Sequence, residues 1–536
     1  MLFRSWHYNL DLLESYLKVY PENHKKILFD DPVFTFFDNP YSVKPRNEKY
    51  LLYNGLPRQL HSVYLHQEKK ELLHKRKTDA HLARKEYGRG DVYRTSLINK
   101  LLCILVNKFS SLDPLGTGIE MESDKPNWFD SLNGLPALFG SSSCETFELK
   151  RLALFLKTSL KDIKVKKIPV TEEICQLLKK LAKLTEESLS GAMDDFSWWD
   201  KTHDLKEEFR RQTCFGVSGK ETLLTGEEIA RALDLILRKI ELGIRRARNK
   251  NIYHGYFINE VTSFKKLGGN IIKPLAFRQI PLPLFLEPQV HAMRLFREYK
   301  KAKGLYLGVK NSSLYDKKLK MYKVTSSLKD MPEEIGRCRV FPPGWLENES
   351  VWLHMEYKYL LEILNQGLYE EFFSEIKNVL VPFQNPQRYG RSTLENSSFI
   401  VSSAFKDKKM HGNGFVARLS GSTAELLDIW LKMNAGLKPF FLNRQERLNL
   451  EFKPILAGWL FNKNGDYCFS FLSSIKITYH NPARINTFGS KPAKIKRIEF
   501  KDKDGINVNI TTSVIPHPYA EQIRSRQIKK IDIYLK

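Results

Sequence analysis

The sequence predicts a mostly α-helical protein, an (α/α)6-type helical barrel with a C-terminal antiparallel β domain. Apolar residues recur at helical spacing in many segments between residues 92 and 445, and long loops separate these segments. From about Leu448 the spacing changes to that of β-strands. Paired helices joined by long loops suit a barrel whose loops gather at one rim, although helical periodicity alone would also fit another helical array.

Residues 1–91 are predicted to form an irregular, linker-like N-terminal segment. They are rich in aromatic residues and are interrupted by turn-forming pairs such as Asp31-Pro32 and Asn39-Pro40. The first ten residues contain no apolar stretch long enough for a signal peptide, and no segment reaches the ~18 consecutive apolar residues of a membrane span. We therefore expect a cytoplasmic protein that has no membrane partner.

Residues 92–445 are predicted to form the helical domain. Leu97, Leu101, Leu105 and Phe109 mark the buried face of a helix over residues 94–109. Another helix, over residues 225–250, begins at Thr225, which is a favourable N-cap and is followed by acidic residues in the first turn. The other predicted helices cover residues 145–160, 171–189, 200–213, 289–303, 349–366, 369–380 and 423–433.

Residues 446–536 are predicted to form a small antiparallel, β-sandwich-like domain. Turn signals at Asn464-Gly465 and Asp504-Gly505 separate runs that alternate or that are rich in β-branched and aromatic residues. The predicted strands cover residues 468–471, 475–479, 495–500 and 531–534.

The chain carries 86 Lys and Arg against 61 Asp and Glu, a formal net charge of +25. A charge of this size is compatible with nucleic acid, phosphate or acidic glycans as partners. The lysines are spread along the chain without a nucleic-acid recognition motif, so a solvated surface is favoured and nucleic acid is not expected. The six cysteines form no CxxC pair and the thirteen histidines no HExxH motif, so neither a disulfide scaffold nor a bound metal is expected.

Three loops hold the residue types that sugar and phosphate chemistry needs. The first, residues 119–140, places Asp130 and other acids beside Trp128 and Asn133. Aromatic faces stack on sugar rings, amides bind hydroxyl groups, and a carboxyl whose pKa is raised by burial donates a proton. Acid-rich loops are more often simply solvated, so this loop alone is a weak signal.

The second loop leads into a predicted helix, with Glu347 and Asn348 before the helix and His354 inside it. A capping acid and a core histidine would explain the same pattern. The third loop, residues 389–424, ends with Ser420 and Gly421 at the start of a helix, where backbone N–H groups and hydroxyls bind anions. Serine at this place is also an ordinary N-cap.

Together the three loops resemble those of glycoside hydrolase family 94, the cellobiose, chitobiose and cellodextrin phosphorylases and their relatives in cyclic β-1,2-glucan synthases. Residues 127–130, Asn-Trp-Phe-Asp, are similar to the family's DWND segment. Residues 342–354 are similar to its PPG, ENGG and histidine segment, and residues 412–422 to its late glycine-rich segment followed by TGSA. The resemblance covers residues 92–536, including a tail similar to the family's C-terminal domain.

The resemblance implies an inverting phosphorylase that cleaves β-linked glucosides or oligosaccharides with inorganic phosphate and releases a sugar 1-phosphate. Asp130 would be the general acid. Phosphate would be a co-substrate, with no other cofactor, and it would be bound by His354, Ser420 and Gly421. The residues implied to contact the oligosaccharide substrate are Trp128, Asn133, Glu347 and Asn348.

The chain departs from the family pattern at several points. Asn127 replaces the first Asp of DWND, and Glu349 and Ser350 replace the glycines of ENGG, which adds a negative charge near the phosphate. The family's N-terminal β-sandwich domain has no counterpart here, so we expect a homodimer or a separate chain that supplies the missing half. Two other hypotheses stay open: an inverting hydrolase or transglycosylase that uses Asp130, and a non-catalytic protein that binds glycans or polyanions.

Overall fold

The computed structural model describes residues 6–125, 127–416 and 421–536. Of the described residues, 42% are helix and 21% are strand, and a six-stranded antiparallel sheet and several smaller sheets lie among the helices. The prediction of a mostly α, (α/α)6-type helical barrel is therefore wrong. The prediction missed β-strands that lie within the helical region, well before residue 446.

The six-stranded sheet is built around a long hairpin, which pairs with short strands on both of its sides. The sequence hides the hairpin because its first strand is buried near Tyr256 and largely exposed beyond Glu260, so apolar and polar residues do not alternate along it. Across the sheet, the strands are Leu56–Gln59, Tyr50–Tyr53, Ile271–Pro281, Tyr256–Gly268, Ser141–Ser142 and Ile119–Glu120.

The predicted helices are present with ends that differ by a few residues, except that residues 289–303 belong to two helices. The N-cap at Thr225 is confirmed, since its hydroxyl accepts a hydrogen bond from the Glu228 N–H at 3.1 Å and the Glu228 carboxylate accepts one from the Thr225 N–H at 2.7 Å. In the described part of the chain, the helices of eight residues or more are His7–Val19, Gln67–Lys75, Leu97–Phe109, Ser143–Ile163, Glu172–Leu189, Asp195–Gln212, Gly226–Ala247, Glu287–Arg294, Tyr299–Lys310, Leu353–Asn365, Tyr369–Val379 and Gly421–Ala435.

The N-terminal helix His7–Val19 packs on the helices that carry the candidate site. Arg151 forms an ion pair with Glu14 of this helix at 2.6 Å, and Arg294 forms one with Asp11 at 3.2 Å. The helices beneath it pack side by side in the order Ser143–Ile163, Glu287–Arg294, Leu353–Asn365 and Gly421–Ala435.

The C-terminal region is β structure, as predicted, but it is not purely antiparallel. Ile475–His480 and Lys530–Leu535 run parallel, because the chain crosses over between them. The alternation of buried and exposed residues in Asp466–Phe471 explains why the sequence signal is clear here. The five strands lie in the order Asp466–Phe471, Ile475–His480, Lys530–Leu535, Ile495–Lys501 and Asn507–Ile510.

The smaller sheets connect segments that are distant in sequence. One of them, with a strand on either side of residue 446, crosses the domain boundary suggested by the sequence. In the described residues, no helix is both long and apolar enough to cross a membrane. The strands of the smaller sheets are Tyr41–Val43 with Val63–Leu65, Ile168–Thr171 with Glu221–Leu224, Arg248–Asn249 with Ile252–Tyr253, Tyr315–Asp316 with Met321–Tyr322, Val351–Trp352 with Phe399–Ile400 and Gly414–Phe415, and Phe440–Leu442 with Leu448–Glu451 and Val514–Ile515.

Candidate functional site

The loop that carries Asp130 is anchored by its neighbour Phe129. Phe129 is 1% exposed, and its ring packs against Phe285 at a centroid distance of 5.3 Å and against Trp352 at 5.8 Å. Asp130 itself is exposed, and its backbone carbonyl accepts a hydrogen bond from the Arg337 guanidinium at 3.2 Å. A buried aromatic anchor therefore fixes the backbone that presents an acid at the surface.

Asn133 ties this loop to the segment around residue 336. Its side-chain oxygen accepts a hydrogen bond from the Arg337 N–H at 3.1 Å. A side chain at Gly336 would lie 2.8 Å from the same oxygen, and Gly336 has φ of 125°, so the close approach depends on glycine. The structure thus uses the Asn133 amide to hold two loops together, which the sequence did not indicate.

Glu347 is a second carboxyl beside Asp130. It is half-buried, and burial raises the pKa of its carboxyl above the ordinary value. The charge of Arg337 opposes this rise, and the charge of Asp130 adds to it. Asp130 is therefore close enough to act on the ionisation of Glu347, whose environment favours the protonated form.

Asn348 closes the turn that presents Glu347. It is 4% exposed, its amide donates a hydrogen bond to the Phe341 carbonyl at 2.6 Å, and its backbone carbonyl accepts one from the Gly344 N–H at 2.8 Å. Its side-chain oxygen has no hydrogen-bond partner among the described residues. Asn348 is thus chiefly a structural residue whose remaining acceptor is buried.

Trp128 lies between the loop that carries Asp130 and the helices His7–Val19 and Leu353–Asn365. Its indole N–H donates a hydrogen bond to the Tyr8 hydroxyl at 3.3 Å. Its ring centroid lies 5.2 Å from that of Trp352 and 5.9 Å from that of His354. The half-buried indole therefore packs in an aromatic cluster and connects the loop of Asp130 to His354.

His354 and Gly421, predicted to share a phosphate site, lie in direct contact. A Cβ atom built on Gly421 would lie 2.5 Å from Nδ1 of His354, closer than real Cβ contacts allow. Gly421 is the first described residue of its helix, so the imidazole lies at the N-terminal end of the described helix, the end at which backbone N–H groups point outward. Ser420, the third predicted phosphate residue, lies outside the described residues.

Burial lowers the pKa of His354 below the ordinary value, although Glu425 opposes the shift. The Glu425 carboxylate lies 3.5 Å from Nε2 of His354. Ser422 is 1% exposed, and its hydroxyl has no hydrogen-bond partner among the residues that the structure describes. The two imidazole nitrogens thus face Gly421 and Glu425, and the Ser422 hydroxyl is a buried polar group at the same helix terminus.

Lys358 is a site residue that the sequence analysis missed. It is 2% exposed, and its ammonium lies 3.5 Å from Glu425, 4.6 Å above the Tyr8 ring and 5.9 Å above the Trp128 ring. Burial acts to lower the pKa of Lys358, but Glu425 and Tyr8 outweigh it, and the pKa is raised. Its position four residues after His354 puts both side chains on one helix face, a signal that could have been used.

The first turns of several helices meet at this place. The Trp6 indole, just before the first helix, donates to Glu145 in the first turn of another at 3.3 Å, and the rings of His7 and His291 lie 5.8 Å apart. Helix N-termini carry partial positive charge, and the two helices that begin at Leu353 and Gly421 have theirs beside His354, which favours a negatively charged ligand there. The helices concerned are His7–Val19, Ser143–Ile163, Glu287–Arg294, Leu353–Asn365 and Gly421–Ala435.

Among the described residues, no group of three or more His, Cys, Asp or Glu side chains is placed to hold a metal ion. The site instead offers two carboxyls, an imidazole, a buried ammonium and helix termini. Such a set can donate a proton and bind an oxyanion. Comparison with models of known protein families and with curated proteins found no match to this chain.

Proposed function

We propose that the chain is an inverting carbohydrate phosphorylase that cleaves a β-linked glucoside or oligosaccharide with inorganic phosphate. The observation that carries the proposal is the contact of His354 with Gly421 at a helix N-terminus, next to a loop that presents Asp130. The family resemblance of the three loops supports the same reading. Phosphate would be held by the imidazole and by backbone N–H groups of the Gly421 helix.

In this reaction Asp130 donates its proton to the glycosidic oxygen as the bond to the anomeric carbon breaks. A phosphate oxygen attacks the anomeric carbon from the opposite face, so the configuration inverts. The products are a shortened saccharide with a new hydroxyl group and a sugar 1-phosphate. Because phosphate is itself the nucleophile, the reaction requires a single catalytic carboxyl.

The remaining residues would prepare the site. Lys358 balances the charge of Glu425, which otherwise would repel phosphate near His354. Trp128 contacts His354 and Tyr8, and these contacts set the distance between the loop of Asp130 and the proposed phosphate site at His354. Asn133 and Asn348 hold the backbone of the two loops rather than the sugar.

A second function, inverting hydrolysis, is favoured by Glu347. An inverting hydrolase needs a second carboxylate that activates water, with the two carboxyls separated by about 6.5–9.5 Å. The charge of Asp130 acts on Glu347, so the two carboxyls are neighbours and Glu347 is the residue for that role. The two functions differ in whether sugar release depends on phosphate.

The test is a screen of β-linked disaccharides and glucans with and without inorganic phosphate, in which sugar 1-phosphate and free sugar are both measured. We expect sugar 1-phosphate from the wild type and none from Asp130→Asn. Asp162→Asn is the control, since Asp162 is exposed at the C-terminal end of Ser143–Ile163, away from the site. Free sugar released without phosphate would identify a hydrolase, and no cleavage of any substrate would contradict both functions.

A further inference from the structure

A group of four cationic side chains, Lys49, Lys125, Lys206 and Arg210, lies on the face of the helix Asp195–Gln212 that meets the loop after Ile119–Glu120. We call it the basic cluster. Lys49 and Lys206 are each 3% exposed, Lys125 is half-buried, and the Arg210 side chain is 27% exposed. The cluster is therefore mostly withdrawn from water and open to it on the side of Lys125 and Arg210.

Two carboxylates face the basic cluster, and both already have partners. Glu122 accepts hydrogen bonds from Lys49 and from Arg210, the latter at 3.0 Å. Glu120 accepts one from the Trp199 indole at 2.6 Å and lies 2.7 Å from Nε2 of His203. When all four cations are protonated, the two carboxylates leave an excess of two positive charges.

The other two lysines of the basic cluster, Lys125 and Lys206, have few contacts. The Lys206 ammonium donates one long hydrogen bond, 3.4 Å, to the Ser111 hydroxyl. The Lys125 ammonium has neither a hydrogen-bond nor an ion-pair partner among the residues described. A lysine ammonium has three donors, so five donors of this pair have no partner among the described residues.

Other acidic residues of the same helix do not neutralise the cluster. Asp200 bonds to Arg46 at 2.6 Å and to Lys273 at 3.0 Å, and Glu207 bonds to Arg46 at 3.2 Å. Asp204 also pairs with Arg46. These carboxylates form a separate stripe on the helix with their own cations.

Withdrawal of an unpaired ammonium from water is costly. Burial and the neighbouring cations lower the pKa of Lys206 to about 7, and burial lowers the pKa of Lys125 to about 7 as well. Natural proteins pair such charges or bind a counter-ion. An anion with several acceptor oxygens would fit both the excess charge and the unused donors.

We propose that the basic cluster is an oxyanion-binding site that takes a phosphate group between Lys125, Lys206 and Arg210. A phosphate dianion matches the excess of two positive charges and offers enough acceptors for the unused donors. The group belongs either to inorganic phosphate or to a phosphate ester of a sugar. The site uses a different helix and loop from the pair His354 and Gly421, and it does not depend on the proposed function.

The test is isothermal titration of the full chain with inorganic phosphate and, separately, with glucose 6-phosphate, at constant ionic strength in chloride. We compare the wild type with Lys125→Met, Lys206→Met and His354→Gln. Lys201→Met is the matched control, because Lys201 is an exposed lysine of the same helix, outside the cluster. Lys125→Met keeps the test available if Lys206→Met fails to fold.

We expect each cluster variant to weaken one phosphate-binding event by about tenfold or more, with no change in Lys201→Met. If the proposed function also holds, the wild type binds two phosphates, one at the basic cluster and one at His354. His354→Gln then removes only the second of these. If it fails, a single phosphate binds, and only the cluster variants remove it. Glucose 6-phosphate that binds more tightly than inorganic phosphate at this site identifies the ester. The proposal is overturned if no phosphate binds, or if both cluster variants bind phosphate with the same number of sites and the same affinities as the wild type.

Discussion

The α-carbon of Gly421 packs against the imidazole of His354, so closely that a methyl group on Gly421 would lie 2.5 Å from Nδ1 and 2.7 Å from Cγ. The ring has little room to retreat, because Glu425 lies 3.5 Å from its other nitrogen and Trp352 packs edge-on at 5.8 Å. The distance between the imidazole and the helix terminus is therefore set by the absence of a side chain at residue 421.

Gly421→Ala tests this contact. Alanine favours helices over glycine by about 1 kcal/mol, so the fold should be retained. The imidazole must turn or shift away from the helix terminus, and we expect the KM for phosphate to rise about tenfold or more. Gly304→Ala is the control, since Gly304 lies within the helix Tyr299–Lys310 and a Cβ there would meet nothing within 4 Å. Wild-type KM in Gly421→Ala would refute a phosphate site at this contact.

The second prediction distinguishes the catalytic roles of the Asp130 and Glu347 carboxyls. Asp130→Asn should reduce the cleavage rate by about 10²–10⁴-fold, because the departing oxygen loses its proton donor. Glu347→Gln should spare phosphorolysis to a much larger extent, because phosphate supplies the nucleophile. Rates of sugar 1-phosphate formation and of phosphate-independent sugar release, measured for both variants, decide the roles. Equal losses in both reactions for Glu347→Gln would make Glu347 the acid instead.

Sequence periodicity found the helices because their buried faces are long and regular, as in Leu97–Phe109, where eight side chains are buried. It did not find the hairpin of Tyr256–Gly268 and Ile271–Pro281, because the first strand is largely exposed beyond Glu260 and carries no regular apolar alternation there. That hairpin pairs with residues 50–53, a long-range contact that no local pattern encodes.

In the candidate site, too, the sequence predicted some of the residues and missed others. Local motifs singled out His354 and Gly421, and the fold brings them into contact. The residues that support them, Lys358 and Tyr8, come from a helix interior and from the distant N-terminal helix. Their role depends on how the helices pack, and a single sequence does not give this packing.

The third prediction concerns the buried ion pairs under the N-terminal helix. The Arg294 guanidinium lies 2.8 Å from Glu362, 3.3 Å from Glu148 and 3.2 Å from Asp11. Arg294→Met leaves the buried Glu362 without its cation, while Asp11 and Glu148 keep their ion pairs with Arg151, so we expect a loss of about 3–5 kcal/mol in the free energy of unfolding. Arg278→Met, which removes a 68% exposed arginine paired with Glu260, should change it by less than about 0.5 kcal/mol. Calorimetric unfolding of the two variants gives the comparison, and similar melting temperatures would contradict a structural role for Arg294.

The fourth prediction follows from the lowered pKa of Lys206. Its pKa is about 7 in the folded chain against 10.5 as the ordinary value, so between these pH values the unfolded chain binds more protons. The stability of the wild type should therefore rise with pH across this window, and the penalty of the buried charge is fully present below pH 7.

Lys206→Met has no charge to bury, so in phosphate-free buffer it should be more stable than the wild type by on the order of 1–3 kcal/mol near pH 6. The difference should shrink towards pH 10 as the wild-type lysine loses its proton. Thermal unfolding at a series of pH values measures it, with Lys201→Met as a control that follows the wild type. Added phosphate should also reduce the difference below pH 7, because it stabilises the cationic lysine only in the wild type. A difference that is independent of pH would show that Lys206 is not held as a buried, poorly paired cation.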